Sequence, residues 1–257
     1  ALTVPDTVSA IGARAFENCA NLTAIAIPAH ITEIPGYMLS GCASLAAFDI
    51  PDGVTTIGEA AFAGCASLTS IEIPAAITAY SNSMLKGCTG LTAFEIGAGV
   101  TSIGESVFEN CTGLTVLELP EGLTELGKSA FAGCTGITEM TVPAGVTALP
   151  DRIFERCTAL EVLTLHDGVT AIGDYALSRT AITECILPAG MTRLENGVFA
   201  DCAALEAVIL PEGMTGIENF AFRNCTAMLL INVPDNLTYI SSSAFDGCYD
   251  MLVVCNA

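Results

Sequence analysis

The apolar residues of this chain keep two rhythms at once. In Leu68-Thr69-Ser70-Ile71-Glu72-Ile73 the second half alternates apolar and polar, the pattern of a half-buried strand. Pro74 follows, and without an amide hydrogen it cannot join a ladder, so the strand ends there. Val54-Thr55-Thr56-Ile57 predicts a second short extended piece. From Gly58 to Cys65 the apolar Ala61, Phe62 and Cys65 fall at spacings of one and three, which predicts one helical turn, too short for a stable helix.

The whole pattern recurs. Cys19, Cys42, Cys65, Cys88, Cys111, Cys134 and Cys157 stand 23 residues apart, and Cys202, Cys225 and Cys248 resume the count after a step of 45. Pro5, Pro28, Pro51 and Pro74 keep the same period. The unit reads P-x-G-V-T-x-I-G-x-x-A-F-x-x-C-x-x-L-T-x-I-x-I. One residue is lost between Leu177 and Ile182, where Thr180 takes the cysteine slot. From Pro5 to Pro234 this makes eleven turns. A fixed period of this length predicts a solenoid whose turns stack on their neighbours. Stacking aligns Phe16, Phe62, Phe108, Phe131, Phe154, Phe199, Phe222 and Phe245 in one spine. Ile11, Ile34, Ile57, Ile103, Ile172, Ile217 and Ile240 align in another. One turn alone could bury neither; the stack buries both.

The L-x-x-I-x-I-P strand followed by V-T-x-I-G-x-x-A-F-x-x-C resembles the 23-residue leucine-rich repeats of the BspA-like family of bacterial cell-surface proteins, over essentially the whole chain. The resemblance implies an α/β-type repeat solenoid: a right-handed leucine-rich-repeat superhelix, with a parallel β-sheet on its concave face and short strands, turns and single helical turns elsewhere. It implies a secreted or cell-surface location, with adhesion to host or matrix proteins by some members, and it carries over no catalytic motif. Residues 1–257 are expected to form one such domain, about 50 Å long at roughly 4.8 Å per rung.

Charge narrows the partners. The net charge is −20 with eight Lys and Arg, so nucleic acid and anionic membrane are repelled. Cationic partners or divalent cations are favoured, unless the acids serve as a solubilising coat on a chain that is 52% hydrophobic. Apolar runs are too short for a membrane span. The chain starts and stops within repeat strands, so signal, cap and anchor segments are expected to lie outside Ala1–Ala257.

Twelve cysteines raise disulfides and metals. Side chains in register point the same way, so their Cβ atoms stay about 4.8 Å apart, against about 3.8 Å in a disulfide. No C-x-x-C or H-x-x-x-H suggests zinc. Buried thiols are expected, Cys185 included, with no cofactor and no metal. Cys255 alternates outward and is a reactive thiol, a partner for a cysteine outside Ala1–Ala257, or an unreactive thiol covered by a missing cap. His30 and His166 lie six turns, about 29 Å, apart and cannot act together. No nucleophile elbow, phosphate loop, dinucleotide fingerprint or calcium loop is present, so an enzyme is not expected.

Alternation places the third and fifth residues of L-x-x-I-x-I outward. In the N-terminal half the fifth slot carries Asp49, Glu72, Glu95 and Glu118 on successive rungs. Adjacent carboxylates repel by roughly 1 kcal/mol in water. The ladder is either solvated decoration, or a strip for Lys/Arg-rich protein segments or weak Ca²⁺ binding. In the C-terminal half Val162, Ile186, Ile209, Leu230 and Val253 point outward, as a partner site or as a surface covered by a cap, a neighbouring domain or a second copy. The expected function is a non-enzymatic adhesion module that engages a protein or glycan through the concave sheet. The alternative is a structural spacer that projects other domains from the surface. End-to-end or concave-face self-association is compatible with both.

Overall fold

The computed structural model describes residues 1–249 and 251–255, with the backbone alone described for Leu252–Cys255. The strands form two sets of parallel ladders along the stack. The second extended piece pairs as expected: Ala79–Tyr80 with Ser102–Ile103 and then Glu125–Leu126, and Arg193–Leu194 with Gly216–Ile217 and then Tyr239–Ile240. Threonine reinforces this ladder. Thr124 donates both its amide, at 3.0 Å, and its hydroxyl, at 3.2 Å, to the carbonyl of Thr101.

The first extended piece is less even. Glu184–Ile186, Ala207–Ile209, Leu230–Val233 and Leu252–Cys255 form a four-stranded parallel sheet, and Glu139–Thr141 pairs with Val162–Thr164. Between residues 45 and 119 the first pieces are joined more sparsely, by one bridge, Ala93–Val116, and by long amide bonds such as Thr69 to Ala46 and Thr92 to Thr69, each 3.4 Å.

The helical turns expected between Gly58 and Cys65 and at its equivalents are absent: no helix occurs among the described residues. Two residues in each turn but the last are left-handed instead, such as Ala60 at φ 52° and Gly64 at φ 72°, and a single left-handed residue interrupts an α-helix. Amides then alternate. Ala61, Ala63 and Cys65 donate to carbonyls three residues back, while Ala60, Phe62 and Gly64 donate to Asn82, Met84 and Lys86 of the next turn. The segment is a third inter-turn ladder built from turns, so each amide from Ala60 to Cys65 finds a partner without a helix.

Within these ladders lies one continuous core, reaching from Ile25 to Ala244. Phe62, Phe108, Phe131, Phe154, Phe199 and Phe222 are fully buried. Phe108, Phe131 and Phe154 stack with centroids 5.7 and 5.5 Å apart and rings within 11° of parallel. The spines weaken at the two ends: Phe16, Phe245 and Ile11 are half-buried and Ile240 is 45% exposed, because the outermost turns are packed on one side only.

The cysteines do more than fill space. From Cys42 onward each register thiol donates to a carbonyl of the preceding turn: Cys88 to Phe62 at 3.2 Å, Cys134 to Phe108 at 3.1 Å, Cys225 to Phe199 at 3.1 Å. Burial holds the register thiols from Cys42 to Cys202 protonated, with Cys111 and Cys157 pushed up to about 12. The eleven described cysteines are free thiols. Cys19, in the first turn, is exposed rather than buried, because no earlier turn covers it. In the shortened turn Thr180 is buried and donates to Leu177 of its own turn at 2.9 Å, satisfying its hydroxyl where the thiol is missing.

Candidate binding face on the first strands

Alternation along the first piece sets the face. In Leu117-Glu118-Leu119 and Cys185-Ile186-Leu187 the inner side chains meet the core while Glu118 and Ile186 stand in solvent. Asp49, Glu72, Glu95 and Glu118 are all exposed, as expected. Beside them lie the small Ala47, Ser70 and Ala93, and where side chains are small the face is hollowed. A groove of about 960 Å³ is bounded by Glu72, Glu95 and Glu118 with Ala93 and Val116. Adjacent hollows of about 310 and 750 Å³ continue it toward Asp49 and toward Glu139 and Thr141. The face is therefore hollowed along this stretch. The like charges repel across neighbouring rungs, which acts in the direction of the sparse pairing between residues 45 and 119.

The apolar half is also exposed where alternation places it: Val162 54%, Ile186 70%, Ile209 52% and Leu230 47%. Ile186 and Ile209 are direct register partners on adjacent strands. Val253 departs from the expected row. The register sets Leu252, not Val253, opposite Leu230, and Val253 opposite Ile231, because this strand is paired 22 residues on rather than 23. Cys255 is likewise set opposite Val233 rather than Asn232. The side chains of Val253 and Cys255 lie outside the described residues.

A further property of the face escaped the pattern reading. The ten complete first pieces, from residues 22–27 to 228–233, hold eight carboxylates and no Lys, Arg or His. All eight basic residues sit on the second strands and the left-handed turns, where six form the ion pairs of the described residues, among them Lys86–Glu109 at 2.8 Å and Arg152–Glu155 at 2.9 Å. The signal was legible, since L-x-x-I-x-I never contains a cation, but it emerges only when the repeats are read by face.

The histidines are structural. His30 Nε2 contacts the carbonyl of Val8 at 2.9 Å. His166 Nδ1 accepts from the amide of Gly168 at 3.1 Å, so its Nε2 carries the proton and donates to the carbonyl of Val146 at 2.9 Å. Both rings cap a preceding turn.

A family model for the BspA type leucine-rich repeat region matches residues 1–115, 80–206 and 124–252. The chain belongs to the BspA-type leucine-rich repeat family. No curated protein sequence matches it. Among solved structures, a leucine-rich cell surface protein of Faecalibacterium prausnitzii is similar at 27% identity, over 99% of this chain and 78% of that one, with a TM-score of 0.69. A leucine-rich repeat protein of T. pallidum is similar at 29% identity, over 61% and 76%, with a TM-score of 0.58. The pneumococcal vaccine antigen PcpA, at 18% identity over 98% and 71% with a TM-score of 0.66, shares the fold. BspA-type repeats are thus a parallel-strand solenoid in this chain, and the family suggests a protein-binding or surface role, typically without catalysis.

Proposed function

We propose that this BspA-type solenoid is a non-enzymatic binding module of a secreted or surface protein and engages a polypeptide through its concave face. One observation carries the reading. Of the ten large hydrophobic residues left exposed among the described residues, four (Leu2, Tyr239, Ile240 and Tyr249) lie in the outermost turns and the other six lie on the first pieces. These six share their face with carboxylates and no cation. Exposed aliphatics concentrated on one surface are the mark of a partner site. A polypeptide is favoured over a glycan because the outward slots of this face hold no aromatic ring for a sugar to stack on. Asp49, Glu72, Glu95 and Glu118 would serve as the charged half of the surface, drawing in basic segments from a distance.

The spacer alternative is favoured by the unbroken core, which gives a stiff rod independent of any ligand. A binding screen against matrix proteins and glycans separates the two. It uses the wild-type chain and a variant with Ala93→Arg and Ala207→Arg, which fills the face with bulk of the opposite charge. The module captures a protein that the variant loses. Equal capture by both chains, or capture of glycans alone, would refute the reading.

A further inference from the structure

We propose that Val162, Ile186, Ile209 and Leu230 form the docking site for a cationic amphipathic segment of a protein, in which aliphatic side chains alternate with Lys or Arg. This deepens the concave-face reading and rests on it. Ile186 and Ile209 pair across adjacent strands, and beside them the small Ala207 separates Glu184 from Leu230 in the neighbouring row. The result is a pair of adjacent aliphatic side chains flanked by a small residue. From Val162, in a separate two-stranded sheet, to Leu230 in the four-stranded one, the site crosses three turns of the stack, about 14 Å at the spacing of paired rungs and the length of about ten residues of helix.

Charge selects the occupant. Glu139, Glu161, Glu184 and Glu206 frame the cluster, all exposed and outside the six ion pairs of the described residues. A neutral apolar segment laid here would strip water from four carboxylates and give them no partner, which is costly. A second copy of the same face would set carboxylates against carboxylates. An anionic membrane is repelled for the same reason. Lys or Arg flanking an aliphatic stripe satisfies both halves of the surface.

The test is a titration with labelled 16-residue peptides read by fluorescence anisotropy: Lys/Leu in an amphipathic helical pattern, Gln/Leu and Glu/Leu in the same pattern, and Lys/Ser. The Lys/Leu peptide binds best. Replacing Ile186→Ser together with Ile209→Ser weakens it by about tenfold or more, as for a central aliphatic anchor, with the melting temperature unchanged because both side chains are more than half exposed. Replacing Glu139, Glu161, Glu184 and Glu206 by Gln weakens it and flattens its salt dependence. Equal binding of Gln/Leu or of Lys/Ser, or no effect of the serine pair, would overturn the proposal. A photo-crosslinking Lys/Leu peptide separates the two levels. Crosslinks confined to the first pieces between residues 45 and 119 sink this site and leave the concave reading standing. Crosslinks on the left-handed turns sink both.

Discussion

The Sγ of Cys134 lies 3.1 Å from the carbonyl oxygen of Phe108, a residue 26 positions earlier and one turn away. That carbonyl already accepts the amide of Cys111 at 3.0 Å. The thiol fills its second lone pair, and the same bond recurs along the stack. This explains why a small, apolar residue with one weak donor holds the slot: alanine would lack the donor, and a longer side chain would collide with the neighbouring turn.

Cys134→Ala is therefore expected to cost about 1–2 kcal/mol, from the lost bond and a small cavity. Cys185 is equally buried but lies outside the thiol ladder. Cys185→Ala should cost less by about 0.5–1.5 kcal/mol, the worth of one hydrogen bond. Urea denaturation of both variants measures the difference. Equal losses would mean that the thiols act by volume alone.

Thiol accessibility follows the same geometry. Under native conditions a maleimide should modify Cys19 at once and the half-buried Cys248 slowly. Cys65, Cys88 and Cys111 should stay unmodified until the chain unfolds. Stoichiometric native labelling of those three, mapped by mass spectrometry, would contradict the core arrangement.

Burial raises the folded-state pKa of the thiols from Cys42 to Cys202, to about 12 for Cys111, Cys157 and Cys185. An unfolded thiol titrates near 8.5. Between these values the native state holds more protons than the unfolded state, so stability falls as pH rises. The thiol contribution should be fully present below about pH 8.5 and lost progressively toward pH 12. Thiolate absorbance near 240 nm, followed with melting temperature, checks this. Titration of most native thiols near 8.5 would contradict it.

Gly64 isolates the cost of the left-handed turns. Its φ is 72°, and an added Cβ would meet the backbone of Gly41 only at an ordinary 3.6 Å. Gly64→Ala should thus lose roughly 1–2 kcal/mol from backbone conformation alone. Gly64→Asn, better tolerated there, should lose less. No loss for alanine would mean that the segment can relax into another conformation.

Much of this fold could be read from side-chain period. The Cys and Phe registers place every core residue from Ile25 inward, because identical turns must stack identical residues. The helical turns could not survive the same logic. Asn18, Gly41, Gly64 and Gly87 before each cysteine did signal left-handed backbone, but the matching slot at Arg14, Tyr37 and Ala60 uses residues with no such preference. Stacking overrides local propensity there, since the left-handed pairs free alternate amides for the next turn. The outward slots were also legible, because a strand has only two faces. The register of Leu252–Cys255 was not, since a strand shifted by one residue keeps the same composition.

The concave face is tested most directly by hydrogen–deuterium exchange of this chain, alone and with the tightest-binding protein of the matrix panel. Binding across the first pieces should slow exchange in residues 160–165, 182–187 and 205–210, with the left-handed turns unchanged. Protection confined to the turns, where all but one of the basic residues lie, would show that the partner uses the opposite surface.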